Sequence, residues 1–146
     1  MLDYSTGKIY IIKNPKIDGV YIGSTTKTLG VRFSQHKYDY KRSKSGQTNY
    51  RTSSKMFEIG TPIIELLFEY PCKNRTELTI YEGEIIQSMP NCVNKIIAGR
   101  TPKQYYECNR PSILQRQNAY NKINKVRINQ LKRILYAKRK ALNTAV

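Results

Sequence analysis

Acidic residues are scarce in this sequence, and their scarcity narrows the range of partners. Ten aspartates and glutamates stand against 26 lysines and arginines, so the 146-residue chain carries a formal net charge of +16. Such a strong positive balance favours a polyanion as the partner over a membrane surface or an acidic protein.

Long hydrophobic runs are also missing. No apolar stretch approaches the roughly 20 residues that are needed to cross a bilayer. The N-terminal Met-Leu-Asp-Tyr-Ser lacks the basic and then apolar pattern of a signal peptide. We therefore expect an intracellular protein, in the cytoplasm or nucleus, without a membrane partner.

Paired cysteines are absent as well. The three cysteines, Cys72, Cys92 and Cys108, are odd in number and widely spaced, and no Cys-x-x-Cys pair occurs. This spacing argues against a zinc site. We expect reduced thiols without a metal role.

The positive charge is concentrated toward the end of the chain. Residues 1–100 hold 15 basic and 9 acidic residues, whereas residues 101–146 hold 11 basic residues and one acid, Glu107. The length fits one domain, alone or with an appendage. The charge distribution predicts a mildly basic body followed by a strongly basic tail.

Two short runs rich in β-branched and aromatic residues predict a β-hairpin. The runs are Lys8 to Lys13 and Val20 to Ser24, and the Pro and Asp-Gly between them suit a closing loop. An antiparallel hairpin would bring Tyr10 and Tyr21 close together at one face of the sheet. The near-continuous apolar run from Ile63 to Tyr70 predicts a third strand, central and well buried.

Helices are predicted after the hairpin and after the third strand. Thr28 is a candidate N-cap for a helix from Leu29 to about Arg42, on which Arg32 and His36 are four residues apart and share a face. A capping box formed by Asn74 and Glu77 predicts a second helix from Arg75 to about Met89, which carries Glu82. This order of elements favours an α/β or α+β fold.

The tail is predicted to form two further helices. Thr101 and Pro102 suit the start of one helix, which Pro111 should break, and Ser112 should open a longer last helix. Because Asn, Gln and Tyr interleave with the cations and acids are nearly absent, phosphate contact is favoured over a merely solvated face. The candidate DNA-binding residues are Lys122, Lys125, Arg127, Lys132, Arg133, Lys138, Arg139 and Lys140.

Several of the residues in the body could together cleave a phosphodiester. That reaction needs an activated water, a cation to stabilise the charged phosphorane and, usually, a metal held by a carboxylate. Taken singly, each candidate has an ordinary alternative as a packing residue, a surface cation, a salt-bridge partner or a turn former. The candidates, in chain order, are Tyr10, Tyr21, Arg32, His36, Glu82 and Asn94.

In this order and spacing, the candidates resemble the GIY-YIG nucleases over about residues 7–95. Lys8-Ile9-Tyr10 stands for the first triplet of that family, and Tyr21-Ile22-Gly23 matches the second. Two departures are Lys8 in the place of the name-giving glycine and Ser24 where some relatives carry lysine. The resemblance implies a small three-stranded antiparallel sheet flanked by helices.

The resemblance also implies single-metal hydrolysis that leaves 5′-phosphate and 3′-hydroxyl ends. Glu82 would hold a divalent metal, Mg²⁺ or Mn²⁺, and Arg32 would stabilise the developing charge. Either Tyr10 or His36 would accept the proton of the water. Tyr21 would position the phosphate or the water, and Asn94 would brace the site.

We therefore expect a metal-dependent DNA endonuclease with a catalytic domain over residues 1–98. Residues 99–146 would form a basic helical DNA-binding extension, similar to those of homing and free-standing viral nucleases of the family. A non-catalytic nucleic-acid-binding protein on the same fold is the main alternative, and a basic RNA-binding structural protein is another. The recognition site, the number of strands cut and the oligomeric state are left open.

Overall fold

The computed structural model describes the backbone of residues 2–143 and the side chains of residues 2–140. The chain divides into two compact units, residues 1–100 and residues 101–146. Within the described residues, no helix is both long enough and apolar enough to cross a membrane.

The first unit is built on a three-stranded antiparallel sheet. Its strands are β1 (Lys8–Lys13), β2 (Val20–Thr25) and β3 (Ile63–Glu69), in the spatial order β2-β1-β3. In the β1–β2 hairpin, Tyr10 pairs with Gly23 and Ile12 pairs with Tyr21. Residues opposite each other share a face of the sheet, so both tyrosines lie on the same face. The predicted hairpin and the predicted fold class are confirmed.

The prediction that the third strand is central and well buried is wrong. β3 pairs with β1 alone, and Ile63, Leu66 and Phe68 are 52%, 43% and 45% exposed. β1 is the central strand, and its Ile9, Tyr10 and Ile12 are fully buried. An apolar run predicts a strand, but it does not predict which other elements will cover that strand. Burial depends on contacts with residues far away in the chain.

Two helices and a 3₁₀ helix cover the sheet. Helix α1 (Leu29–Lys44) begins at Thr28, whose side chain accepts a hydrogen bond from the Val31 amide. Helix α2 (Arg75–Ser88) begins at Asn74, whose side chain accepts from the Glu77 amide. Each cap satisfies a backbone N–H that has no partner within its helix, which is why the sequence located both starts. The 3₁₀ helix Thr52–Phe57 lies between them in the chain.

Each face of the sheet has its own core, because neighbouring residues of a strand point to opposite faces. Ile9 and Ile22 pack with Leu78 and Ile86 of α2. On the opposite face, Tyr10 and Ile12 pack with Met56 and Phe57 of the 3₁₀ helix and with apolar side chains of α1. The helix that carries Arg32 and His36 is thereby placed against the tyrosine face.

The second unit consists of α3 (Pro102–Ile123) and α4 (Lys125–Asn143). Thr101 and Gln104 form a complete capping box at the start of α3, as the sequence indicated. Of the residues that the structure describes, α3 has none that is buried. Most side chains of this unit are therefore on the surface, where their charges are accessible, and α3 contributes no buried core.

The predicted break at Pro111, and the new helix start at Ser112, are wrong. α3 continues through Pro111 and ends at Ile123, and the amide side chain of the following residue, Asn124, donates to the Tyr120 carbonyl at 2.9 Å. Proline removes the backbone bond that would reach the Glu107 carbonyl. Both residues are exposed, so water can hydrate that carbonyl, and the helix tolerates the loss.

The close approach of α2 to the chain after it predicts a cost for a single added methyl group. A Cβ on Gly83 would collide with the backbone carbonyl of Ala98, which cannot rotate away. We expect Gly83→Ala to lower the free energy of unfolding by about 1–3 kcal/mol, as overpacking generally does. Chemical denaturation followed by circular dichroism measures the change.

Gly30→Ala is the matched control for this prediction. No heavy atom lies within 4 Å of the position of its added Cβ, and the residue lies in α1. A gain of about 0.4–1 kcal/mol is expected from the reduced entropy of the unfolded chain. Equal stability of the two variants would contradict the packing argument.

Candidate active site

A buried chain of hydrogen bonds starts at the Tyr10 hydroxyl. The hydroxyl oxygen lies 2.7 Å from His36 Nε2 and accepts a bond of 2.9 Å from Arg32 Nε. On the far side of the imidazole, His36 Nδ1 lies 3.0 Å from the Ser53 hydroxyl. Strand β1, helix α1 and the 3₁₀ helix are therefore joined through one imidazole ring.

The protonation state of His36 follows from its surroundings. Burial, together with the charges of Arg32 and Arg51, lowers the pKa of His36 to about 3. The ring is therefore neutral at neutral pH. A neutral imidazole has one donor and one acceptor nitrogen, so of its bonds to Tyr10 and Ser53 the ring donates one and accepts the other.

The two tyrosines of the hairpin differ in their access to solvent. Tyr10 is fully buried, and burial together with nearby Tyr21 raises its pKa well above the ordinary value. Burial and the charge of Glu82 raise the pKa of Tyr21 to about 12, but its side chain lines two cavities. Tyr21 can therefore meet a substrate, whereas Tyr10 supports the site from behind.

Gly23 explains how Tyr10 fits against β2. A Cβ at this position would collide with the Tyr10 hydroxyl, and it would lie 2.6 Å from Cζ of the ring. The glycine of the second triplet is thus required by the phenol on the neighbouring strand. Lys8, the departure in the first triplet, lines neither of the two cavities and donates to the Thr6 carbonyl at 2.8 Å.

Glu82 reaches the site from α2. The Ser24 hydroxyl donates to its Oε2 at 2.5 Å. Burial raises the pKa of Glu82, although the Ser24 hydrogen bond and the Arg32 charge act in the opposite direction. A carboxylate that is costly to hold charged and that borders a cavity is suited to a cation.

The donor set fits a largely hydrated divalent metal. Within the described residues, no cluster of three or more His, Cys, Asp or Glu side chains is present. Mg²⁺ keeps several waters and is commonly held by one or two carboxylates together with phosphate oxygens of the substrate. One carboxylate, Glu82, with the Tyr21 and Ser24 hydroxyls on the same cavity wall, meets that requirement.

Asn94 acts on the backbone of β2. Its Nδ2 donates to the Ile22 carbonyl at 2.8 Å, and its Oδ1 accepts from the Ile22 amide at 2.9 Å. The preceding segment also pairs with β2, since the Val20 amide donates to the Asn91 carbonyl at 2.9 Å. These bonds hold the outer edge of the strand that carries Tyr21 and Gly23.

Two cavities of about 490 Å³ and 240 Å³ share part of their lining, which includes Ala98 and three of the candidate residues. Tyr21, Arg32 and Glu82 line both cavities. His36 and Asn94 line only the smaller one. Five of the six residues selected from the sequence therefore line the smaller cavity. The sixth, Tyr10, is hydrogen-bonded to two of them, Arg32 and His36.

Sequence reasoning missed two contributors to this site. Ser53 binds His36, and Arg51 lines the smaller cavity. Both belong to a polar stretch that reads as an exposed loop, and nothing in the spacing distinguishes them from their neighbours. The predicted DNA-binding residues belong to the second unit, Lys122 on α3 and the other seven on α4, and all have exposed side chains.

The buried neutral histidine predicts a pH dependence of stability. Its pKa is 6.5 in the unfolded chain and about 3 in the folded protein. Between these values the unfolded chain binds the extra proton, so the free energy of unfolding falls as the pH is lowered through this window. At pH 5 the loss amounts to about 2 kcal/mol.

His36→Gln, which has no titrating group at this position, is expected to lose less stability between pH 7 and pH 5. Urea denaturation at both pH values measures the two differences. The raised pKa of Glu82 has the opposite sign and is shared by both proteins, so it cancels in the comparison. Equal losses in the two proteins would show that His36 is protonated in the folded state.

The comparisons with known proteins agree with this geometry. The family model of the GIY-YIG catalytic domain matches residues 6–91, more than half of the chain. No curated protein and no solved structure matches the chain. Asn94 and the two basic helices lie beyond the matched range. The resemblance read from the sequence is confirmed, and the chain belongs to the GIY-YIG family of nucleases.

Proposed function

We propose that this protein is a metal-dependent endonuclease that hydrolyses DNA to 5′-phosphate and 3′-hydroxyl ends. The observation that carries the proposal is the meeting of Tyr21, Arg32 and Glu82 on the wall between two cavities. A hydroxyl, a fixed cation and a carboxylate on one surface are the groups that phosphodiester hydrolysis needs. Membership of a nuclease family supports the same reaction.

Glu82 is the residue that would hold the metal, Mg²⁺ or Mn²⁺. When bound, the metal would polarise a phosphate oxygen and stabilise the charge that develops on it. Ser24 fixes one oxygen of the carboxylate and thereby sets its orientation. Such support from a neighbouring hydroxyl is typical of carboxylates that ligate metals.

Arg32 would neutralise the phosphorane. Its Nε–H is held by Tyr10 and its Nη1 lies 3.4 Å from Gln35 Oε1, so the guanidinium has a fixed orientation. The other N–H groups of the planar fork are left for phosphate oxygens. A cation that is already oriented stabilises the transition state without reorganising during the reaction.

Of the two candidate bases, His36 is the better placed. It is neutral and lines the smaller cavity, whereas Tyr10 is fully buried and lines neither cavity. Both of its nitrogens are hydrogen-bonded, to Tyr10 and to Ser53, so His36 accepts the proton of the water only when one of these bonds is given up. The negative charge of a bound phosphate would raise the pKa of His36 toward the range of a general base. As the water oxygen attacks phosphorus, its proton passes to the base, the P–O3′ bond breaks, and the 3′ oxyanion takes a proton from solvent.

The exposed cations of α3 and α4 would supply the DNA-binding surface. Eleven basic residues and a single acid occupy residues 101–146. Contacts of this kind go to phosphates and carry affinity, while they read no sequence directly. We accordingly propose that residues 1–98 form the catalytic domain and residues 99–146 a DNA-binding extension.

Replacing the metal-holding carboxylate tests the proposed function. We expect Glu82→Gln to abolish cleavage of supercoiled plasmid and of a branched duplex in Mg²⁺, while DNA binding measured by fluorescence anisotropy persists. The physical reason is that the neutral amide cannot replace the charge on which metal binding depends. Circular dichroism confirms that the variant is folded.

Glu84→Gln is the matched control. Glu84 is exposed on the same helix, two residues and about 200° round the axis from Glu82, so it faces away from the site. This variant should cleave like the wild type. Cleavage by Glu82→Gln at the wild-type rate would refute the assignment of Glu82. A wild-type protein that binds DNA and cuts none with any divalent metal would favour the non-catalytic alternative.

Deleting residues 101–146 tests the extension. If about five to seven cations of the full protein meet phosphates, log K against log salt has a slope near −5 to −6. We expect the truncated protein to show a flatter slope and a higher Kd at moderate salt. Single-turnover cleavage at saturating protein should be largely retained, because the six site residues all precede residue 101.

A thermal melt of the truncated protein serves as the control. A melt like that of the full protein shows that the first unit folds without the two helices. If the melt is preserved and the salt slope is unchanged, the extension is not the DNA-binding element.

A further inference from the structure

Arg51 is a cation of the smaller cavity that the proposed mechanism does not use. It immediately precedes the 3₁₀ helix Thr52–Phe57, and its side chain makes no capping hydrogen bond there. It lines the cavity together with Tyr21, His36 and Glu82. Its charge is close enough to contribute to lowering the pKa of His36, after burial and Arg32. Its side chain therefore lies beside the site while remaining accessible.

The ion pair that Arg51 makes is a weak one. Its Nη1 lies 3.4 Å from Asp39 Oδ2, and the Arg51 side chain is 62% exposed. The Asp39 side chain is 24% exposed, but a single contact of 3.4 Å to a largely exposed guanidinium contributes little to stability, and a phosphate offers a better partner for a guanidinium. Asp39 does not line the cavity, so an anion can approach Arg51 from the cavity side.

The charges that line the smaller cavity favour a second anion within it. Arg51 and Lys95 line the smaller cavity and do not line the larger one, whereas Arg32 and Glu82 line both. The scissile phosphate of the proposed reaction belongs beside Arg32 and Glu82. A second anion would then lie to one side of it, at Arg51.

We infer that Arg51, together with Lys95 of the same cavity, forms a binding site for a backbone phosphate next to the scissile one on the same nucleic-acid strand. This inference rests on the proposed function, since it presumes that a strand crosses the cavity. Arg51 binds the substrate here and takes no proton. Its role is to hold the strand in register with Arg32 and Glu82.

Binding measured in the Glu82→Gln background tests the site without the complication of cleavage. Adding Arg51→Ala to that background should raise the Kd for a duplex about tenfold, the loss expected for a charge-assisted hydrogen bond. The slope of log K against log salt should become less steep by about 1, as one phosphate contact is lost. In the otherwise wild-type protein, kcat/KM for cleavage should fall by a similar factor.

Arg42→Ala is the matched control for net charge. Arg42 lies on α1, six residues and about 240° round the axis from His36, and it lines neither cavity of the site. Its removal should change Kd less than twofold and leave the salt slope unchanged. If Arg42→Ala changed Kd and the salt slope as much as Arg51→Ala, the loss of one positive charge would explain both results, and the proposed site would be refuted.

Arg51→Lys should recover part of the affinity, because the charge remains while the fork is lost. Arg51→Gln, which keeps a long polar side chain, carries the same expectation as alanine should the alanine variant fail to fold. Affinity and salt slope unchanged in a folded Arg51 variant would overturn the site even if cleavage is observed. Conversely, the wild-type protein could bind DNA in an Arg51-dependent way and cut none. That outcome would support the phosphate site and refute the proposed endonuclease activity.

Discussion

The Tyr10 hydroxyl is the point on which the rest of the site depends. It accepts a hydrogen bond from Arg32 and shares one with His36, in the middle of the central strand, where the side chain is fully buried. A buried network whose members are all bonded is costly to disturb, since each lost partner strands a polar group. The cation and the imidazole of α1 are thereby held at fixed positions over the sheet.

A second set of constraints acts on β2, the strand that Tyr10 must cross. Gly23 leaves room for the phenol, and Asn94 binds both polar groups of the Ile22 backbone along the outer edge. Ser24 then orients the Glu82 carboxylate of α2. The arrangement places the Arg32 cation and the Glu82 anion on the same cavity walls. Tyr21 lies on β2, which is bonded to β1 on one side and to Asn91 and Asn94 on the other. Opposite charges held apart in this way suit the simultaneous binding of a phosphate and a metal ion.

The positive charge of the protein has two separable roles in the proposed reaction. Arg32 and Arg51 line the smaller cavity, where in the proposed reaction a few cations would set the register of a strand. The cations of α3 and α4 lie on helices whose described side chains are largely exposed, where number matters more than orientation. Many exposed phosphate contacts raise the affinity for the nucleic acid, whereas a few contacts at the cavity position one phosphate for the reaction.

Local patterns in the sequence were sufficient for the element order and for the caps at Thr28, Asn74 and Thr101. Family-like spacing selected six candidate residues that the structure brings together, and their roles stay predictions. A cap or a hairpin depends on residues a few positions apart, and those can be read directly. The exposed position of β3, the continuation of α3 through Pro111, and the presence of Ser53 and Arg51 at the site were decided only by the tertiary structure. Burial, solvation of a lost hydrogen bond and the convergence of loops depend on contacts between residues far apart in the chain, and no local pattern records them.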